Sequence, residues 1–172
     1  MTKQGIEEYI KTMKEKIYLD TSVPSAYYDT TKPLRQLITQ KWFEKEASRY
    51  ALNISTLTVA EIDETSDERR RQSIKALIKK YKCRLIEVSD EMLSLSKNYM
   101  KYGAIPKSEP EDALHVAIAT VSGIEMLASW NFSHIVSINP IRKIHEINIK
   151  NKYYPIQIGS LEIFGGAKYG NL

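Results

Sequence analysis

Short apolar runs alternate along the chain with longer stretches in which apolar residues recur every three or four positions. This alternation predicts parallel βαβ units, in which each strand is followed by a helix that crosses the sheet. Strands are predicted over residues 16–20, 51–55, 84–88, 126–129 and 154–158. Helices are predicted over residues 33–50, as a pair within 58–80, and over 90–102, 109–122 and 140–150.

The predicted helix over residues 109–122 is apolar on nearly every side. Its apolar residues are Ala113, Leu114, Val116, Ala117, Ile118, Ala119 and Val121. A helix at the surface would carry a polar face, so this one is predicted to lie buried in the centre of the domain.

One domain accounts for most of the chain, because neither a repeat nor a Pro- or Gly-rich linker divides it. The strand and helix pattern places this α/β domain at residues 16–160. Residues 1–15 predict an N-terminal helical extension with Ile6, Tyr9, Ile10 and Met13 on one face. Residues 161–172 are glycine-rich and predict an irregular C-terminal tail.

The composition narrows the class of protein. The 172 residues are 42% hydrophobic and 27% charged, as in ordinary globular proteins. The single Cys83 excludes an internal disulfide and argues against a thiolate metal site. With neither a signal-peptide pattern nor an apolar stretch of membrane-spanning length, we expect a cytoplasmic protein without a membrane contact. The net charge of +4 is compatible with a polyanionic partner.

Three acidic residues occupy positions that favour a functional site. Asp20 directly follows the first strand, Glu61 follows the second, and Asp112 opens the buried helix. In open α/β sheets ligands gather at the carboxyl ends of strands and the N-termini of the following helices. Three carboxylates gathered there from distant segments predict a site for a hard metal ion, and such a site suggests hydrolysis.

Helix capping is the structural alternative for each acid. After the first strand, Ser22 is better placed than Asp20 to cap a helix that starts near residue 23. Thr58 and Glu61 match a capping box, which taken alone would explain Glu61. Ser108 and Glu111 can form another box, which leaves Asp112 spare.

The histidines and tyrosines carry weaker signals. His115 follows Asp112 by three residues, a spacing at which the two side chains could face each other, but a buried core histidine is the simpler interpretation. His134 and His145 lack metal-ligand spacing to each other. Tyr27 and Tyr28 could stack on bases, with core packing as the default.

Four segments, taken in order, resemble the PIN-domain family of metal-dependent nucleases, and in particular the VapC-type toxins. The segments are Ile17-Tyr18-Leu19-Asp20-Thr21-Ser22, Ser55-Thr56-Leu57-Thr58-Val59-Ala60-Glu61-Ile62, Asp112-Ala113-Leu114-His115-Val116-Ala117 and Leu127-Ala128-Ser129-Trp130-Asn131-Phe132. The resemblance spans residues 16–160. It implies a three-layer α/β/α sandwich with a central, mostly parallel sheet, and Mg²⁺- or Mn²⁺-dependent cleavage of RNA.

The resemblance also implies roles for individual residues. Asp20, Glu61 and Asp112 match the three family acids that converge on the metal, and Ser22 matches the hydroxyl residue that supports the first acid. Asn131 stands where many members carry a fourth acid, so it offers a neutral amide oxygen in place of a charge. Ser129 lies at the preceding polar position, and Glu109 is an auxiliary acid.

The resemblance implies binding partners, and two other classes of protein remain as alternatives. A toxin would act on RNA, bind a small antitoxin protein, and could form a homodimer. A haloacid-dehalogenase-like phosphatase also carries an acid at a strand end, but it needs a second Asp two residues later, where this chain has Ser22. A catalytically degenerate PIN-like module that binds RNA or a protein is the other alternative, and Asn131 is the feature that favours it.

Overall fold

A computed structural model describes residue 2 and residues 13–165. Within this part, five strands form one parallel sheet in the order β3-β2-β1-β4-β5. The strands are β1 (Glu15–Leu19), β2 (Tyr50–Ser55), β3 (Arg84–Ile86), β4 (Met126–Ala128) and β5 (Gln157–Gly159). The predicted N-terminal helix, apart from its last residues, and the end of the predicted tail lie outside the described residues.

Seven α-helices lie in the described part of the chain and connect these strands. They are α1 (Ser22–Ala26), α2 (Pro33–Lys45), α3 (Thr56–Asp63), α4 (Glu68–Lys80), α5 (Asp90–Lys101), α6 (Pro110–Val121) and α7 (Ile138–Lys150). A single 3₁₀ turn, Ala47–Arg49, precedes β2. In residue 2 and residues 13–165, every helix is too short or too polar to cross a bilayer.

Two apolar clusters, one on each face of the sheet, create the layers. Successive side chains of a strand point to opposite faces, and β1 follows this rule. Ile17 and Leu19 pack with α1, α2 and α4, whereas Tyr18 packs with α5, α6 and α7. The result is the predicted three-layer α/β/α architecture around a parallel sheet.

The buried central helix is confirmed. Residues of α6 that are shielded from solvent include Ala113, His115, Val116, Ala117, Ile118, Ala119 and Thr120. The helix packs in the apolar cluster with Tyr18 and α5, and its first two turns reach the site described below.

The predicted helix caps were wrong, and this changes the role of the neighbouring acids. The cap of α3 is Ser55, whose hydroxyl accepts the N–H of Thr58, so Glu61 has no part in a capping box. At α6, Glu109 occupies the cap position without a side-chain bond to the helix, and Ser108 donates to Glu109 instead.

Two element boundaries also differ from the pattern-based prediction. The helix predicted over residues 33–50 ends at Lys45, because Tyr50 pairs with Glu15 as the first residue of β2. The last strand was predicted over residues 154–158, but it spans Gln157–Gly159, where its residues pair with β4.

Candidate active site

The site lies where the sheet reverses its direction of winding. From β1 the chain builds outward through β2 and β3, and it then returns to the other side of β1 with β4 and β5. The carboxyl ends of β1 and β4 therefore flank a topological switch point, where parallel sheets bind their ligands. The backbone N–H of Asp20 donates to the carbonyl of Ala128 at 3.2 Å, which fixes these two ends side by side.

Asp20 is buried at this point, with only 3% of its surface exposed. One carboxylate oxygen, Oδ1, accepts the backbone N–H of Ser22 at 3.0 Å and the Ser22 hydroxyl. The other oxygen, Oδ2, accepts the hydroxyl of Ser129. Burial raises the pKa of the Asp20 carboxyl, although His115 and the two serine hydrogen bonds act in the opposite direction.

Ser22, at the start of α1, and Ser129, directly after β4, hold Asp20 in place from two sides. The helix-capping role predicted for Ser22 is not what the structure has, since Ser22 is the first residue of α1 and Thr21 is its cap. Instead, the Ser22 hydroxyl donates to Asp20 and accepts the backbone N–H of Trp130 at 2.8 Å. These contacts orient the carboxylate before any ligand arrives.

Glu61 lies on α3 at the end of β2, on the other side of Asp20. Its Oε2 accepts the Thr21 hydroxyl and the Nε2–H of His115, the latter at 2.7 Å. Burial alone would raise the pKa of Glu61, but the contacts with His115 and Thr21 outweigh it and lower the pKa. Glu61 is therefore held as a carboxylate, and among the described contacts its Oε1 is left without a protein partner.

A buried chain of hydrogen bonds supports Glu61 from the core. The Tyr18 hydroxyl lies 2.7 Å from Nδ1 of His115 and 2.8 Å from the Ser55 hydroxyl. Nε2–H donates to the carboxylate, and the Tyr18 hydroxyl contacts the other ring nitrogen, so both nitrogens of His115 have partners. His115 is thus the core histidine that the sequence suggested, and it contacts Glu61 as well.

Asp112 stands in the first turn of α6, where a helix N-terminus favours a negative charge. Its Oδ2 accepts the side-chain amide of Asn131 at 2.7 Å and lies 3.0 Å from Nδ1 of His134. Burial raises the pKa of Asp112, and the hydrogen bonds from His134 and Asn131 partly offset this effect.

Asn131 connects Asp112 to Asp20. Its backbone N–H donates to the hydroxyl of Ser129 at 2.9 Å, and Ser129 in turn donates to Asp20. Its side-chain oxygen accepts the backbone N–H of His134 at 3.0 Å, so the amide group that faces Asp112 is the NH₂. In this arrangement Asn131 supports Asp112 through a hydrogen bond, and its oxygen is already engaged by the chain.

His134 was not among the predicted site residues. Glu109, Asp112 and His134 offer ligand atoms that all lie within 4.8 Å of one another, with Nδ1 of His134 at 3.6 Å from Glu109. Nothing in its spacing marks His134, because its position depends on the turn after β4. His115 had a signal, the three-residue spacing from Asp112, but its contact turned out to be Glu61.

The donor set suits a hard divalent cation, which prefers carboxylate oxygens. In the described ranges, neither lysine nor arginine forms an ion pair with Asp20, Glu61 or Asp112; their charged-group contacts are the two histidines. Partly buried carboxylates without a full counter-charge are electrostatically costly. A bound cation would supply that charge. Among the described residues, the group whose ligand atoms all lie within 4.8 Å of one another is Glu109, Asp112 and His134. Asp112 and these two neighbours therefore fit the implied metal, whereas Asp20 and Glu61 lie outside that group.

Comparison with protein-family models and with curated proteins finds no match to this sequence. Among solved structures, the chain is similar to VapC20 of Mycobacterium tuberculosis, described as a toxin that cleaves the sarcin–ricin loop. The TM-score is 0.52 at 15% sequence identity, and the similarity covers 69% of this chain and 92% of VapC20. At this identity the likeness establishes the fold. The chain therefore has the fold of VapC20, a three-layer arrangement around a parallel sheet, which agrees with the PIN-domain resemblance of the four sequence segments.

Proposed function

We propose that this protein is a metal-dependent endoribonuclease and the toxin of a toxin–antitoxin pair. The observation that carries the proposal is the gathering of Asp20, Glu61 and Asp112 around the switch point of a PIN-type sheet. Hydrogen bonds link Asp20 to Asp112 through Ser129 and Asn131, and Thr21 ties the end of β1 to Glu61.

Asp20 and Asp112 would hold the cation, with Glu61 beside them. A bound Mg²⁺ or Mn²⁺ supplies Lewis-acid activation of water and offsets the charge of a phosphodiester. Ser22 and Ser129 keep Asp20 oriented, and Asn131 and His134 do the same for Asp112. Glu109 is an auxiliary acid at the rim.

Glu61 is the group suited to orient an attacking water. It is ionised because its pKa is lowered, and Thr21 and His115 engage only Oε2. Oε1 is therefore available to accept a hydrogen bond from an attacking water and so to orient it towards the phosphodiester. The contacts at Oε2 fix the direction in which Oε1 points.

Cleavage of an RNA panel with Mg²⁺, Mn²⁺ or EDTA tests the nuclease. The panel contains single strands, hairpins and a sarcin–ricin loop, the RNA named for VapC20. Wild type is expected to cleave one of these RNAs only with the metal, and Asp20→Asn and Glu61→Gln are expected to abolish cleavage. Asp90→Asn, which removes an exposed acid on α5, is the matched control and should leave cleavage unchanged.

The alternative is a degenerate PIN-like module that binds RNA or a protein without cleaving. The specific observation in its favour is Asn131, a neutral side chain that occupies one oxygen of Asp112. Calorimetry with Mn²⁺ separates the two functions. An active site of the proposed kind binds Mn²⁺ and loses it in Asp20→Asn, whereas absence of both Mn²⁺ binding and cleavage in wild type would favour the module.

The toxin role has its own test in living cells. Expression of wild type in the cytoplasm of a bacterial host is expected to arrest growth of the cells. Expression of Asp20→Asn to the same protein level is expected to leave growth unchanged. A small antitoxin bound to the toxin would relieve the arrest. Growth of cells that contain cleavage-competent wild type would contradict the toxin assignment and leave the nuclease assignment standing.

Sedimentation of the purified protein tests whether it forms a homodimer.

A further inference from the structure

A groove runs over the surface from His134 to the turn that follows α5. Its floor contains the buried residues Ala104 and Ile105, and its volume is about 470 Å³. The lining residues are Met100, Lys101, Gly103, Ala104, Ile105, Pro106, Lys107, Ser133, His134, Asn139, Pro140 and Lys143. We call it the lysine groove.

The charge of the lysine groove has a single sign. Three exposed lysines, Lys101, Lys107 and Lys143, line it, and in the described part of the chain none of its lining residues is acidic. Lys143 is held in place because its Nζ donates to the carbonyl of Gly103 at 3.0 Å. Gly103 has a φ of +70°, a conformation that favours glycine, and this allows the chain to turn there.

The lysine groove is continuous with the candidate active site. His134 lines its inner end, and Nδ1 of the same residue is 3.0 Å from Asp112. The acids of the site repel a polyanion, so a nucleic acid needs positive charge close by, and the groove places three lysines there.

A second cavity, of about 460 Å³, adjoins the lysine groove and continues it away from the candidate active site. It shares Lys143 with the lysine groove, and its other lining residues are Asn98, Tyr102, Glu146, Ile147, Lys150 and Asn151, so one acid accompanies its two lysines. The Tyr102 side chain is 60% exposed, and the ammonium group of Lys101 lies 5.4 Å from its ring centroid. An exposed aromatic ring among lysines is the combination that binds bases and backbone of single-stranded nucleic acid.

We propose that the lysine groove binds the backbone of the single-stranded RNA segment that leads into the active site, with Tyr102 stacking on a base. This inference rests on the proposed nuclease function and adds the direction in which the substrate lies. A single strand is the form of RNA that suits this surface, because stacking on the Tyr102 ring requires an unpaired base. Backbone contacts to three lysines give affinity without sequence preference.

Binding of a fluorescein-labelled single-stranded RNA tests the inference. The comparison is made in full-length Asp20→Asn with Mg²⁺, so that the RNA is not consumed. The triple variant K101Q/K107Q/K143Q is expected to weaken binding about ten- to hundredfold at 0.1 M salt. It should also make the slope of log Kd against log salt shallower by about 2, since each single-strand contact contributes about 0.7.

The matched control removes three exposed lysines from the opposite helix layer, as K45Q/K79Q/K80Q on α2 and α4. Both triple variants lower the net charge by the same amount, so a general charge effect would change both equally. Tyr102→Ala is expected to weaken binding about fivefold or more through lost stacking. Tyr102→Phe keeps the ring and should bind like the parent.

The outcomes separate the groove from the nuclease. If wild type cleaves RNA and K101Q/K107Q/K143Q binds and cleaves it equally well, the proposed role of the lysine groove is wrong. The proposed nuclease function would then still stand. Equal losses in both triple variants, or tighter binding of a duplex than of a single strand, would also overturn the proposed role of the groove. Selective loss of binding in the groove variant supports the groove, even in a protein that fails to cleave.

Discussion

His115 shows how one buried side chain affects the state of an acid in the candidate site. It is 2% exposed and lies between the Tyr18 hydroxyl and the Glu61 carboxylate. Nε2 lies 2.7 Å from a carboxylate oxygen of Glu61, which can only accept, so Nε2 carries a proton and donates to Glu61. His115 is therefore a positioning residue in the proposed function, and it keeps Glu61 both ionised and oriented.

Replacing His115 with Ala is expected to lower the turnover of RNA cleavage about ten- to hundredfold, the usual cost of losing such a support. KM for RNA should change little, because His115 is buried and does not reach the substrate. His115→Gln retains an N–H donor and should recover part of the turnover. Single-turnover cleavage at saturating enzyme measures the effect.

Removal of an unrelated histidine provides the control for this prediction. His145 also contacts its surroundings through Nε2, at 2.8 Å from the carbonyl of Ile156, but on α7 away from the acids. His145→Ala should keep normal turnover. A full rate in His115→Ala, or an equal loss in the two alanine variants, would show that Glu61 does not depend on His115.

At the scale of elements, α6 links the core to the site. Its N-terminal turn presents Asp112, its next turn presents His115, and its remaining length is enclosed by apolar residues. Small residues make this enclosure possible, since Ala113 and Ala117, one turn apart, have no exposed surface. Close packing of this kind leaves little space for a larger side chain.

Ala117→Leu is expected to destabilise the protein by about 1–3 kcal/mol, because added methylene groups force the neighbouring elements apart. The shift of α6 should also lower the cleavage rate, since Asp112 and His115 move with it. Urea unfolding followed by circular dichroism measures the change. Ala60→Leu adds the same volume at an exposed position of α3 and serves as the control. Equal midpoints for the two variants would mean that α6 is not tightly packed.

The sequence predicts elements better than it predicts their ends. Each predicted strand and each predicted helix that falls in the described part of the chain is present, because apolar spacing reflects which face is buried. The caps were mispredicted because several Ser, Thr and Glu residues compete within a few positions, and pairing across the sheet decides among them. Ser55 caps α3 since it ends β2 with its hydroxyl directed at Thr58.

At the scale of the whole molecule, strand order is what assembles the site. The placement of Asp20, Glu61 and Asp112 near the switch point was predictable, because a polar residue after a buried strand, or in the first turn of a buried helix, faces that point of a parallel sheet. His134 was not, because its contact with Asp112 depends on the turn in which Asn131 accepts its backbone N–H. Local turns of this kind carry no apolar period from which they could be predicted.

The buried Asp20 at the switch point lowers the stability of the whole domain when no metal is bound. Burial raises the pKa of Asp20, which means that the ionised carboxylate destabilises the metal-free fold at neutral pH. The neutral isostere Asp20→Asn is therefore expected to melt at a higher temperature than wild type in EDTA at pH 7. As the pH falls through the raised pKa, wild-type Asp20 takes up a proton and the difference should shrink.

Added Mn²⁺ should reverse this order of stability. A cation that binds only the folded state stabilises it by about 2.7 kcal/mol at a hundred times its Kd. The melting temperature of wild type is expected to rise with Mn²⁺, and that of Asp20→Asn is expected to rise little.

Asp29→Asn is the control. Asp29 is an exposed acid whose pKa is lowered by its hydrogen bond with Thr31, so its loss should not stabilise the protein. If Mn²⁺ raised the melting temperature of all three proteins equally, the cation would be bound elsewhere. If Asp20→Asn melted below wild type in EDTA, the Asp20 carboxylate would be a stabilising part of the fold, contrary to the direction of its pKa.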